Sequence, residues 1–136
     1  MDFELTKEQM DIQKAAQEFA EAEFEKSYVV ELDRNHKFPW EIWKKALKPG
    51  FIGLDIPEEY GGQGYGLFEK VLVTEQFCRC GASVGTSALG TYFGSKIILR
   101  NGSENQKKKF LPPLFQGEAV SAGAFGAFYA DGFWWP

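Results

Sequence analysis

The chain has 136 residues and 15.4 kDa, a length that suits one domain and lets a core form without disulfides or metals. Hydrophobic residues at 44% and charged residues at 25% exclude a disordered chain and a collagen-like fibre, and no apolar run reaches the roughly 20 residues of a membrane span. A net charge of -4 and a pI near 5.1 argue against nucleic acid as the main partner.

Cys78 and Cys80 are the two cysteines, too few for a zinc site and wrongly spaced for a disulfide framework. Reduced thiols in a cytoplasmic protein are the expectation. The opening Met1-Asp2-Phe3-Glu4 is acidic where a secretory signal would be basic. Aromatic content is high, with 13 Phe, 5 Tyr and 4 Trp.

Thr6 and Gln9 stand at capping-box positions, flanked by Leu5 and Met10 at staple positions. Ile12, Ala15, Ala16, Phe19 and Ala20 recur at helical spacing. These signals predict a first helix over residues 7–27, with the polar stretch 31–36 as its end and a loop. Pro39 suits the first turn of a second helix, whose apolar stripe is Ile42, Trp43, Ala46 and Leu47. Pro49-Gly50 stops it. Residues 51–66 read as an ordered loop, because Phe51, Ile52, Leu54 and Ile56 need burial.

A third helix is predicted over 67–80, with Phe68, Val71, Leu72 and Glu75 on one face. A fourth spans 83–100 and stops at Asn101-Gly102. Ser103 and Gln106 form a second capping box opening a fifth helix, with Phe110, Leu111 and Leu114 inward. Residues 119–125 have weak strand character. The pattern predicts an all-α fold: about five helices in an up-and-down bundle over residues 1–118, then a short non-helical C-terminal tail over 119–136.

The glycine-rich stretch Gly61-Gly62-Gln63-Gly64-Tyr65-Gly66 lacks the Gly-Lys-Ser/Thr of a phosphate loop and reads as a structural turn. His36 reads as a solvated surface residue, and Lys107-Lys108-Lys109 as a solvated helix face. Asn101-Gly102-Ser103 matches a glycosylation sequon, with nothing that suggests secretion. Glu75, placed on the apolar face, is expected to have a partner on a neighbouring helix. No acid–base pair, nucleophile constellation or metal cluster is complete.

Three stretches resemble the N-terminal helical domain of acyl-CoA dehydrogenases. They are residues 1–9, MDFELTKEQ; residues 31–40, ELDRNHKFPW, continuing to IPEEYGGQG at 56–64; and NGSENQKKKFLPPL at 101–114 with Gly117-Glu118. They keep the family's order and spacing over residues 1–124. The resemblance implies a flavoenzyme of three domains that oxidises the Cα–Cβ bond of an acyl-CoA thioester. A carboxylate removes the α-proton, a hydride passes from Cβ to the FAD, and an electron-transfer flavoprotein reoxidises the flavin.

The chain departs from the family after Phe125. There the family gives Thr-Glu-Pro and Gly-Ser-Asp, which contact flavin and substrate; this chain reads GAFYADGFWWP. The resemblance therefore implies a truncated N-terminal domain, with the start of a missing β-domain at 119–136. No catalytic, cofactor or metal residue carries over, and FAD is not expected to bind this chain alone. Counting back from Ile97-Ile98-Leu99 places Val84, Ser87, Ala88 and Thr91 at the wall of the family's acyl pocket; the same four also suit plain helix packing. Acyl-CoA is the implied substrate. Two other readings stand beside this one: a helical protein-interaction module, and a subunit completed in trans by the missing domains. The aromatic tail is expected either to fold back over the bundle face that meets the β-domain or to mediate self-association or contact with a partner carrying the missing domains.

Overall fold

The computed structural model describes residues 4–122. Among these the architecture is all-α: α1 (Lys7–Glu23), α2 (Lys26–Arg34), α3 (Trp40–Leu47), a 3-10 turn (Glu58–Tyr60), α4 (Leu67–Leu89), α5 (Ser95–Asn101), α6 (Glu104–Phe110) and α7 (Pro112–Phe115). The expected residues 125–135 contact segment lies outside the described residues.

Both predicted capping boxes form. The Gln9 amide N–H donates to the Thr6 hydroxyl (3.2 Å) and the Gln9 side chain accepts from the Thr6 N–H (3.0 Å). Ser103 and Gln106 repeat the exchange at 3.3 and 2.8 Å. Each pair satisfies two N–H groups that the first turn would otherwise leave unpaired.

The predicted first helix is divided in two. The chain leaves α-geometry at Phe24, and Glu25 restarts it by accepting from the N–H groups of Ser27 and Tyr28, both at 3.1 Å. The break turns Phe24 inward against Phe77. α2 then runs through the stretch read as loop and stops in a Schellman motif. Lys37 N–H donates to Leu32 O (2.9 Å) and His36 N–H to Asp33 O (3.2 Å), with His36 left-handed at φ 50°. His36 is exposed, as expected, and also forms this helix stop.

α1 packs most extensively along α4, and α2 and α3 also lean on α4. Phe77 on α4 is the hub. It stacks on Phe19 of α1 (5.3 Å, 17°) and meets Phe24 and Phe51 edge-on at 5.3 and 5.5 Å. Such pairs add specific ring contact to the area they remove from water. Phe51, Ile52, Leu54 and Ile56 are all buried, as their loop was expected to need. The glycine-rich stretch folds back on that loop: Gln63 N–H bonds Gly53 O, Gly64 N–H bonds Ile56 O and Tyr65 N–H bonds Leu54 O. A Cβ at Gly62 would collide with the Ile56 carbonyl, which is why the turn is glycine-built.

Four further expectations are corrected. The inward face of α4 is Leu72, Val73, Gln76 and Phe77, whereas Phe68 and Val71 are each 51% exposed and Glu75 is solvent-facing. The core contacts of α1 and α2 select that stripe over the apolar one beside it. Phe110 is 48% exposed, while Leu111 and Leu114 are buried, because α6 ends there and Pro112 opens the separate turn of α7.

The third correction concerns the predicted helix over 83–100. The break before it is real: Gly81 is extended (φ −178°, ψ 97°) and kinks α4. A second break follows at residues 90–94, and α5 starts at Ser95. The turn buries Tyr92, whose hydroxyl donates to Asp55 Oδ1 (3.2 Å). Residues 119–122 form no strand; Ser121 makes an isolated parallel bridge to Tyr92.

Candidate functional site

The second half of α4 carries Val84, Ser87 and Ala88, and the turn after it carries Thr91. Gly85 lets this half approach the first half across the Gly81 kink, since a Cβ there would meet Phe77 carbonyl C and O at 2.9 and 3.0 Å. The helix thereby presents its 84–87–91 edge toward the entry to α3.

Two hollows lie along that edge. One, of about 300 Å³, is bordered by Leu32, His36, Pro39, Val84 and Ser87. The other, of about 500 Å³, is bordered by Phe38, Trp40, Ser87, Thr91, Val120 and Ala122. Phe38 and Ser87 border both, so the hollows adjoin. The structure thus brings Val84, Ser87 and Thr91 together on one surface. It separates Ala88, which is 0% exposed and faces the core behind them.

Thr91 presents less polarity than its side chain suggests. Its hydroxyl accepts from the Trp43 indole N–H (3.0 Å) and donates to Ala88 O (3.1 Å). Both Trp43 and Thr91 are buried. The opposite wall is aromatic: Phe38 and Trp40 meet edge-to-face at 4.5 Å, and Trp43 closes the group against Trp40 at 5.6 Å. No charged side chain borders the larger hollow. The larger hollow can hold an apolar chain, and no side chain on its border could act as a general base; Asp33, His36 and Lys37 border only the smaller one.

Phe38, Trp40 and Val120 were not anticipated at the site. The tripeptide Phe38-Pro39-Trp40 was the available signal, because Pro39 fixes the chain between two aromatics; Val120 is remote in sequence and carried none.

The most charged buried group lies elsewhere. Asp55 takes Lys96 at 2.9 Å and Lys70 at 3.5 Å, besides the Tyr92 hydroxyl, and Lys70 sits 4.5 Å over the Tyr92 ring. Burial foremost, then the Asp55 charge, pushes the Tyr92 phenol well above its ordinary value, so it stays protonated and donates. The group ties the 51–66 loop to α4 and α5. Cys78 and Cys80 form no disulfide, and burial pushes the Cys78 thiol above its ordinary value. Among the described residues no cluster of His, Cys, Asp and Glu could hold a metal, and no helix is long and apolar enough to cross a membrane.

The family model described as "Acyl-CoA dehydrogenase, N-terminal domain" matches residues 6–118. The chain is 40% identical over 131 residues to the acryloyl-CoA reductase (NADH) of Anaerotignum propionicum, covering 94% of this chain and 31% of that protein. It is 35% identical over 127 residues to a short-chain specific acyl-CoA dehydrogenase of Clostridium acetobutylicum, covering 93% and 33%. Among solved structures, a glutaryl-CoA dehydrogenase bound to glutaryl-CoA superposes with a TM-score of 0.79 at 33% identity, over 89% of this chain and 31% of that one. Butyryl-CoA dehydrogenase from Megasphaera elsdenii gives 0.74 at 30%, over 88% and 32%. The chain spans about a third of the length of these relatives. The match over residues 6–118, on a helical fold shared with these structures, places the chain in the acyl-CoA dehydrogenase family, of which it carries the N-terminal domain.

Proposed function

We propose that this domain supplies the helical wall of the acyl pocket in an FAD-dependent enzyme that oxidises the Cα–Cβ bond of acyl-CoA thioesters. The observation that carries this reading is the edge formed by Ser87 and Thr91, which faces Phe38 and Trp40 across an uncharged hollow of about 500 Å³, with Val84 bordering the smaller hollow beside it. Such a hollow suits a hydrocarbon chain, whose transfer from water is favourable by about 0.8 kcal/mol per CH2. The buried hydroxyl of Thr91 is turned away to Trp43, so the residue offers the hollow its apolar part.

The larger hollow does not fit FAD by itself. A dinucleotide needs donors or cations for its pyrophosphate. The larger hollow has no cation on its border, and no buried side-chain N or O among the described residues lacks a partner. On this reading the flavin, the base and the thioester site belong to other domains, present in the same polypeptide or supplied in trans, and the isolated chain does not turn over. The aromatic segment 125–135 is the element through which it associates. A cytoplasmic location accords with the unpaired Cys78 and Cys80.

The test is a pair of assays: dye reduction with a panel of acyl-CoA substrates and added FAD, by the chain alone and by a chimera. In the chimera residues 6–118 replace the matched segment of the Clostridium acetobutylicum dehydrogenase. The chimera should retain flavin and reduce dye, and the chain alone should not. Turnover by the chain alone, or a flavin-loaded chimera that is dead on every substrate, contradicts the reading.

A further inference from the structure

Building on the acyl-pocket reading, we infer that the acyl chain this domain receives carries a hydroxyl at its far end, seated in the smaller hollow against Ser83 and Ser87. The two hollows follow one another along the second half of α4. Ser83 and Val84 border only the smaller, Ser87 borders both, and Gly90 and Thr91 border only the larger. Residues 120–122 also border only the larger, and they are bound at its Thr91 end. Ser121 N–H donates to Thr91 O (2.6 Å), and the Ser121 hydroxyl donates to the same oxygen (3.1 Å). These residues follow the matched segment 6–118, so in a full-length relative the later domains continue from the Thr91 end. An acyl chain held by those domains enters there and runs toward Ser83, about 12 Å away along a helix that rises about 1.5 Å per residue.

The surroundings change along that path. The larger hollow has no charged border, whereas the smaller is lined by serines and by Asp33, His36 and Lys37. Ser83 and Ser87 are exposed, one turn apart, and among the described residues neither hydroxyl has a hydrogen-bond partner. The local backbone explains this. Ser83 O, the carbonyl to which a Ser87 hydroxyl would bond back, lies 3.1 Å from the Thr86 hydroxyl, and the extended Gly81 breaks the turn behind Ser83. Asp33 and Lys37 bring opposite charges to the border, so a terminal carboxylate meets no net field to offset the water it gives up. A hydroxyl carries no charge, donates once and accepts twice, which suits two serine hydroxyls beside a balanced pair. A methyl end would displace water from both serines and return no hydrogen bond.

Two measurements test this. In the Clostridium acetobutylicum chimera, kcat/KM is compared for acyl-CoA substrates of equal length that end in methyl, hydroxyl or carboxylate. At the lengths that reach Ser83 the hydroxyl end should be preferred over both others. Ser83→Ala should lower its preference over methyl about three- to tenfold, the effect of one lost hydrogen bond, and Ser83→Thr should retain most of it. Ser83 is exposed and alanine is a strong helix former, so the substitution leaves the fold intact. A chimera that turns over unsubstituted acyl-CoA but shows no hydroxyl preference, or prefers carboxylate, or ignores Ser83→Ala, overturns the inference and leaves the acyl-pocket reading standing. The second measurement needs no turnover. The full chain, labelled with 15N, is titrated with 1-hexanol and with hexanoate. Amide signals of Ser83, Val84 and Ser87 should shift at about three- to tenfold lower 1-hexanol than hexanoate, and Ser83→Ala should remove that difference. Equal responses to the two probes, or shifts confined to other residues, overturn the inference. A flavin-loaded chimera that is dead on every substrate strikes the acyl-pocket reading, and the titration then decides the hydroxyl seat on its own.

Discussion

The Trp43 indole N–H and the Thr91 hydroxyl, 48 positions apart, meet at 3.0 Å inside the core and fix α3 to the end of α4. Because Thr91 passes its own proton to Ala88 O, the two bonds form a short relay from the α3 stripe to the last turn of α4. Thr91→Val keeps the shape but strands a buried indole N–H, which costs about 1–3 kcal/mol. Trp43→Phe removes the donor and leaves a void. Since they share one bond, the double substitution should lose less stability than the two single losses combined, by about 1 kcal/mol in a double-mutant cycle from urea unfolding. Strict additivity would show that the bond does not hold the two elements together.

Much of this was legible in the chain because the signals are local. Thr6 with Gln9 and Ser103 with Gln106 declare helix starts within four residues, and Pro49-Gly50 a stop. Other features depend on partners far away. Glu25 caps α2 although the usual cap residues are shorter, and what favours the break is the burial of Phe24 against Phe77. Phe68 and Val71 keep helical spacing as well as Val73 and Phe77 do; only the position of α1 decides which pair is inside. The break at 90–94 is hidden by the apolar residues that resume at Ile97-Ile98-Leu99, and it exists because Tyr92 reaches Asp55. Of the proposed wall, the 84–87–91 edge follows from helical spacing once the family is recognised. Trp40 and Val120 join it only through the tertiary fold.

His36 holds a left-handed backbone, φ 50°, at the position after the α2 cap, where glycine is the favoured residue. His36→Gly should therefore stabilise the domain by about 0.5–1 kcal/mol, the relief of backbone strain less the added freedom of the unfolded chain. Thermal melts at one pH decide it. A lower melting temperature would mean that the imidazole contributes more than its backbone costs.

Acid should weaken the domain through specific carboxylates. Gln9 Nε2 donates to Glu69 Oε1 (2.8 Å) and Gly66 N–H to Oε2 (3.0 Å), joining α1 to the start of α4. The Gln9 bond first, with the backbone bonds, holds the Glu69 carboxyl below its ordinary 4.5. The Ser27 contacts do the same for Glu25, and Lys107 with Tyr60 for Glu104. A carboxyl with a lowered folded value binds its proton more readily when unfolded. Its stabilisation is complete above 4.5 and drains away as pH falls through the lower folded value. Melting temperature should thus hold down to about pH 5 and fall below it, and Glu69→Gln should be less stable at neutral pH with a shallower acid fall. An acid profile of the variant that parallels the unmutated one would remove Glu69 from this role.

The central claim, that the Ser87 edge of α4 bounds the acyl chain, is tested most directly by acyl-length selectivity. In the chimera, kcat/KM is measured across acyl-CoA substrates of increasing length, with and without Ser87→Trp, which fills the larger hollow from an exposed site. The account predicts that the substitution spares the shortest substrates and depresses the longer ones at least tenfold, about 1.4 kcal/mol of lost transition-state binding. An equal effect at every length, or none at any, would contradict it.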